Sequence, residues 1–332
     1  MYILGLESSC DETAASVVVN GSKILSSIVA SQIDIHRIYG GVVPELASRK
    51  HLEAVVPVVE EALDCAGISA EKLDGMAVTQ GPGLVGALLV GFCFAKGFAY
   101  GLDIPWIGVN HLEGHINSVF LEKDVPEFPF TALLVSGGHT SIYYVTGHTR
   151  FELMGQTRDD AAGEAFDKVS KMLGLGYPGG ALIGRLAQNG DREKINFPRS
   201  FLDKTRFDFS FSGLKTSVSR YIQTNPVLSR EQICDIAAGF EEAVVDVLCF
   251  KLLGAAQKKQ CRHIAVVGGV AANKRLREKI VRQAENKGLQ VFIPGTDLCG
   301  DNGAMIAAAG YYYLKSGLVS GMDSDVYSRV AL

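Results

Sequence analysis

An α/β fold built from two similar halves is predicted by three features of the 332-residue sequence. A unit of strand, small polar turn and strand opens the chain and returns about 130 residues later. Helical and strand periodicities alternate between the two copies, as they do when helices pack on a sheet. A glycine pair then closes a late strand and leads into a helix, an arrangement by which α/β proteins admit nucleotides.

The first unit is the strand Tyr2 to Leu6, the turn Glu7-Ser8-Ser9-Cys10-Asp11-Glu12-Thr13 and the strand Ala14 to Val19. Its small residues let backbone approach a ligand, and hydroxyls beside carboxylates suit a phosphate and its metal; any hairpin turn is also polar. An amphipathic helix around Arg49 to Ala66, a strand Met76 to Thr79 and a small-residue helix Leu84 to Tyr100 follow. Leu121 to Pro129, with two prolines and mixed charges, reads as a linker, so the halves divide as 1–125 and 126–332. The second copy is Phe130 to Val135, Ser136-Gly137-Gly138-His139-Thr140 and Ser141 to Val145.

A helix beginning near Asp159 and ending at Leu173 has acidic first turns that suit the helix dipole. Asp167 on it faces the Tyr177-Pro178-Gly179-Gly180 turn and reads either as a ligand for ribose hydroxyls or as a surface carboxylate. The strand His263 to Val267 and the loop Gly268 to Asn273 open a helix over Lys274 to Ala284.

Composition bounds the function. With 47% hydrophobic residues, 20% charged and a net charge of -4, the chain is an ordinary globular protein without the overall basicity that draws nucleic acid, so such a partner must meet a local patch. Seven cysteines without a Cys-x-x-Cys pair point to reduced thiols and a cytoplasmic setting. No signal peptide is expected ahead of the first strand, and the most apolar run, Leu84 to Ala95, falls short of the ~20 residues of a spanning helix, so no membrane is expected.

Asn110-His111-Leu112-Glu113-Gly114-His115 follows the strand Pro105 to Val109 and sets two imidazoles four residues apart, on one face of a helix. Two such histidines grip a divalent cation and leave positions open for chemistry, or else lie on a polar surface. A zinc peptidase needs a glutamate at 112 or 114, which here are Leu112 and Gly114; Glu113 points away. Asp301, before an alanine-rich helix, reads as an N-cap or as a third ligand.

Taken together, the Glu7 to Thr13 turn, the Asn110 to His115 stretch, Ser136 to Thr140, Gly163-Glu164-Ala165-Phe166-Asp167-Lys168, Gly268 to Asn273 and Asp301-Asn302-Gly303-Ala304-Met305 resemble the TsaD family, in its order and over nearly the whole chain. That resemblance implies an actin/Hsp70/sugar-kinase (ASKHA) type fold, two duplicated lobes around a nucleotide cleft, with the last helix returning to the first lobe. It implies transfer of threonylcarbamoyl from threonylcarbamoyl-AMP to N6 of adenosine 37 in tRNAs reading ANN codons. His111, His115 and Asp301 would hold one divalent metal, Fe2+ or Zn2+, with Mg2+ accompanying the nucleotide. Val135, Ser136, Gly137, Gly138, His139, Asp167, Gly180 and Asn273 would line the adenylate pocket. Partners implied are tRNA, a non-catalytic TsaB-like paralogue and a small TsaE-like ATPase. Archaeal and eukaryotic members carry Tyr and Asn where this chain has Leu134 and His139, so it is similar to the bacterial branch. The alternatives are a metal-dependent endopeptidase and a non-catalytic nucleotide-binding subunit.

Main-chain amides at Ser136 to Gly138 and Ser9 to Asp11 are expected to steady the leaving phosphate, and Asp11 or Glu12 to take the amine proton. Asp191 to Arg230 carries eight basic and four acidic residues, a local +4 against -8 elsewhere. Its phenylalanines Phe197, Phe201, Phe207, Phe209 and Phe211 are expected in the core, and Arg199, Lys204 and Arg206 on RNA phosphates.

Overall fold

The computed structural model describes residues 1–200 and 205–329. The chain divides into two compact units. One is Met1–Val125 with Gly147–Arg150 and Pro294–Leu332; the other is Pro126–Thr146 with Phe151–Ile293. The second unit therefore ends at Ile293 rather than at the terminus, and a longer segment than the last helix belongs with the first.

The first unit runs β1 (Tyr2–Glu7), β2 (Glu12–Val19), β3 (Lys23–Ser31), α1 (Ile33–Arg37), α2 (Pro44–Ala66), β4 (Gly75–Gly81), α3 (Val85–Leu102), β5 (Trp106–Asn110) and α4 (His111–Asn117). The second runs β6 (Phe130–Val135), β7 (Thr140–Gly147), β8 (Arg150–Gln156), α5 (Ala162–Met172), α6 (Gly179–Ala187), α7 (Ser212–Thr224), α8 (Arg230–Lys259), β9 (His263–Val267), α9 (Lys274–Glu285) and β10 (Gln290–Phe292). The chain then adds α10 (Thr296–Cys299) and α11 (Gly303–Lys315) to the first.

Strand order is β3-β2-β1-β4-β5 in one sheet and β10-β9-β6-β7-β8 in the other. In each, the opening strand is antiparallel to its hairpin partner and parallel to a strand reached through helices. The polar turns thus lie at the carboxyl ends of β1 and β6, beside the exits of the parallel strands β4 and β9, where open α/β sheets bind ligands.

Alternation along β1 divides its side chains between two cores. Leu4 and Leu6 join Val55, Val58 and Phe92 of α2 and α3, whereas Ile3 joins Ala304, Ile306 and Ala307 of α11. Gly5, on the α11 side, lets backbone meet backbone: a Cβ there would lie 2.1 Å from Gly303 O. α3 begins one residue and ends two residues later than expected and, at 18 residues, is apolar enough by length and composition to cross a membrane. It places Phe92, Ala95 and Ala99 in the core, and Lys96 donates to the carbonyls of Met322 and Ser324.

In the second unit the 30-residue α8, opened by a Ser229/Gln232 capping box, packs along α6 and α9. Glu242 on α8 grips Arg275 of α9 bidentately at 2.6 and 2.8 Å and also pairs with Lys279. Burial pushes this carboxyl up, yet Arg275 and Lys279 hold it at about 2, below its ordinary 4.5. A depressed pKa stabilises the fold above the ordinary value, and that stabilisation is lost as pH falls from 4.5 through 2. Glu242→Gln is expected to lower stability by about 1 to 2 kcal/mol at pH 7, allowing for solvent screening, and to lose this penalty near pH 2. Urea titrations at the two pH values check it; equal penalties at both would refute the linkage.

Candidate functional site

In the first unit, β5 runs straight into α4. Asn110 caps the helix by accepting from Leu112 N at 2.9 Å, so His111 is its first residue and His115 follows one turn later. Gly114 between them lets α4 pass close over α11, since a Cβ there would lie 2.8 Å from Ile306 Cδ1. The turn before α11 supplies Asp301. Its expected capping role belongs instead to Asn302, whose side chain accepts from Met305 N, so the Asp301 carboxylate is turned to the histidines. Asp301 Oδ1 lies 3.2 Å from His115 Nε2 and 3.5 Å from His111 Nε2. One ligand atom from each of the three residues falls within 4.8 Å of the others.

These donors fit a divalent cation. His115 is fully buried, and neither of its ring nitrogens makes a hydrogen bond among the described residues, a costly state that a bound ion at one nitrogen relieves. His111 is set by Glu7, the last residue of β1. Glu7 Oε2 accepts from His111 Nδ1 at 2.9 Å and from the Thr79 hydroxyl, while Oε1 accepts from Ser9 N. This network assigns the proton to Nδ1 and leaves Nε2 facing Asp301. Burial pulls His111 down, but the carboxylates of Asp301 and Glu7 outweigh it and raise it to about 9. A cation therefore competes with a proton for this cluster.

Glu7 is a functional residue that sequence reasoning left inside a turn. Glutamine has one acceptor oxygen and cannot serve donors at both ends of the Glu7 carboxylate. Glu7→Gln is expected to weaken metal binding roughly 10- to 100-fold with the fold intact. Competition against a chelator measures this, and superimposable curves would exclude an orienting role.

Asp11 and Glu12 lie on the same side of the unit. Burial, with the charges of Asp301 and Asp11, pushes Glu12 up to about 10. Ser9 N is committed to Glu7, so of the expected phosphate-steadying amides there only those of Cys10 and Asp11 remain candidates. Glu113 accepts from the Tyr313 hydroxyl at 2.6 Å, away from the histidines.

In the second unit the Ser136 to His139 turn closes on itself: Ser136 N donates to His139 O, and His139 N to the Ser136 hydroxyl. Ser136 N is thereby removed from the expected phosphate donors, leaving Gly137 and Gly138. The carbonyls of Ser136 and Gly137 accept from Gly163 and Glu164 at the start of α5, fixing this turn to the helix that carries Asp167. Asp167 Oδ1 accepts from Gly179 N at 2.7 Å and so holds the turn that opens α6. Asn273 caps α9 through Leu276 N and donates to Glu241 on α8 at 2.7 Å. Gly184 of α6 faces both Glu241 and Asn273, which ties these loops into one neighbourhood. Gly137, Gly138, Gly180 and Gly269 have nothing within 4 Å of where a Cβ would stand, bare backbone of the kind a planar ligand lies against. Glu241 is buried and carried no signal in the sequence, because α8 shows little amphipathic contrast.

The basic strip fares differently. Phe197, Phe207, Phe209 and Phe211 are in the core, and Phe201 lies outside the described residues. The Arg199 guanidinium is bound to Asp246, Asn196 and Phe197 O. Lys204 lies outside the described residues. Arg206 is exposed, and Lys251 anchors its carbonyl.

Residues 23–308 match the profile of TsaD, tRNA N6-adenosine threonylcarbamoyltransferase. The chain belongs to the TsaD family. A tRNA N6-adenosine threonylcarbamoyltransferase of Desulforapulum autotrophicum is 60% identical over 329 residues, covering 99% of each chain. That of Geotalea uraniireducens is 56% identical over 326 residues, covering 98% of this chain and 95% of its own. Among solved structures, the activator of 2-hydroxyisocaproyl-CoA dehydratase from Clostridium difficile superposes with a TM-score of 0.56 at 16% identity, covering 96% of this chain and 97% of its own. HypF of T. kodakarensis gives 0.65 at 17%, covering 96% and 48%. These likenesses establish an ASKHA-type fold for this member of the TsaD family, and the family assignment does not favour the endopeptidase and non-catalytic readings.

Proposed function

We propose that the chain transfers the threonylcarbamoyl group of threonylcarbamoyl-AMP to N6 of adenosine 37 in tRNAs that read ANN codons, releasing AMP. The observation that carries this reading is the match to the TsaD family over residues 23–308, in a chain that also has a buried His-His-Asp cluster. His111, His115 and Asp301 would hold one divalent ion; two imidazoles and a carboxylate suit Fe2+ or Zn2+, with Fe2+ preferred. When bound, the ion supplies Lewis acidity and a template for the oxygens of the threonylcarbamoyl group.

The chain's own residues do the rest. Glu7 keeps His111 in the tautomer that presents Nε2 to the ion. Asp167, Gly180, Asn273 and the turn Val135 to His139 bind the adenylate, with the bare glycines against its planar parts. The amides of Gly137 and Gly138 receive the charge that develops on the leaving phosphate. The base for the amine is Asp11 or Glu12. Arg199, Lys204 and Arg206 are the candidates for RNA phosphates. Mg2+ accompanies the nucleotide, the protein works in the cytoplasm, and a TsaB-like paralogue and a TsaE-like ATPase assist it.

Incubation of the pure protein with threonylcarbamoyl-AMP and an unmodified tRNA transcript, with and without those partners, tests the proposal. Modified adenosine and stoichiometric AMP are expected. AMP release without modified nucleoside under every combination would overturn it.

A further inference from the structure

A polar cavity of about 650 Å³ lies in the second unit among α8, α9 and the loop after α6, lined by Arg192, Arg199, Glu242, Asp246 and Arg275. Four cations meet two carboxylates at its floor: Glu242 takes Arg275 and Lys279, and Asp246 takes Arg199 and Lys279. Arg192 is the one left over. Its Nε lies 3.8 Å from Glu242 Oε2, is buried, and has no hydrogen-bond partner among the described residues. A buried guanidinium N–H without an acceptor is costly, and an anion entering the cavity relieves it. Asp191 and Glu193 also line the cavity, and Asp191 Oδ1 accepts from Glu193 N.

The setting favours an anion on a long chain over a small free one. Across its 12 residues α9 carries Lys274, Arg275, Arg277, Lys279 and Arg282 against Glu278 and Glu285, and Lys274 and Arg282 face solvent. Asn273 opens that helix, and its partner Glu241 precedes Glu242, so the cavity adjoins the proposed adenylate loops. An RNA whose adenine is to reach those loops must run beside them, and positive surface there meets its backbone.

We propose that this cavity is a phosphate-binding site for the RNA backbone, with Arg192 as the donor to a phosphodiester oxygen beside Arg275. The site rests on the tRNA-modifying reading above. Its test uses the full chain, an unmodified tRNA transcript as RNA probe and AMP as the small-phosphate probe, over about 0.05 to 0.3 M salt. Arg192→Ala is expected to weaken tRNA binding roughly three- to tenfold at low salt and to reduce the slope of log affinity against log salt by about one. AMP affinity is expected to stay unchanged, and Arg192→Lys to keep most of the slope, which separates lost charge from lost packing. An unchanged slope in Arg192→Ala overturns the site while leaving the tRNA-modifying reading in place. Loss of AMP affinity with an unchanged tRNA slope also overturns it and assigns the cavity to the nucleotide's phosphate. A wild-type chain that binds AMP but modifies no tRNA with its partners present defeats the underlying reading instead.

Discussion

Replacing both His111 and His115 by alanine is expected to remove the metal and abolish threonylcarbamoyl transfer while the fold persists. The two imidazoles come from a single turn of α4, and their Nε2 atoms converge on one oxygen of Asp301. Without them Asp301 is the one remaining member of the cluster, and water does not replace two imidazoles at comparable affinity. The transfer rate should fall at least ~1,000-fold if the ion both polarises and aligns the carbonyl. The fold should survive because α4 is held by other means: the Asn110 cap, buried Leu112 and Ile116, and the close pass of Gly114 over α11. Elemental analysis and circular dichroism read the two halves of this expectation separately. A double variant that still retains one tightly bound ion per chain would place the metal elsewhere.

Much of this arrangement was legible in the sequence because it depends on local pattern. Phe130–Val135 and His263–Val267 have the expected boundaries, since each is an apolar strand closed by a glycine-containing turn. The two-half organisation was visible because both hairpins have short turns, and the sheets repeat the same strand pattern. The helical period brought the two histidines together in the sequence, whereas Asp301 joined them as a candidate ligand through the family resemblance.

What was not legible depends on contacts distant in sequence. Glu7 acts on His111 across 104 positions, and no local pattern announces it. The sequence left Asp301 open as an N-cap or a third ligand, because Asp301 and Asn302 are both good caps and only the histidines decide which one turns inward. The pairing of Arg199 with Asp246 was not legible, because Asp246 stands 47 residues away on the long helix α8. Strands β3, β8 and β10 were absent from the sequence reading; they lie at sheet edges or carry mixed burial, which weakens alternation.

The contact of Gly5 with Gly303 couples fold and site most tightly, and Gly5→Ala is expected to break both. A Cβ on Gly5 would meet Gly303 O at 2.1 Å and Ala307 N at 2.5 Å, and one on Gly303 would meet Gly5 O at 2.7 Å and Ser16 N at 2.7 Å. These are backbone atoms of a central strand and of a helix, so no side-chain rotation makes room. The helix must retreat, and its buried face of Ala304, Ile306, Ala307 and Ala309 loses its fit against Ile3 and Val18. Overpacking of this kind costs about 1 to 3 kcal/mol where side chains yield, and about 4 or more is expected where only backbone can move. Asp301 stands two residues before α11, so displacement of the helix start carries its carboxylate away from His111 and His115. The variant should therefore lose metal at temperatures where it is still folded, and then unfold at a markedly lower denaturant midpoint. Gly137→Ala, with nothing within 4 Å of the new methyl, serves as the control and should leave both quantities near wild type. A Gly5→Ala protein within about 1 kcal/mol of wild type and with full metal content would mean that α11 does not need this close approach to hold Asp301 in place.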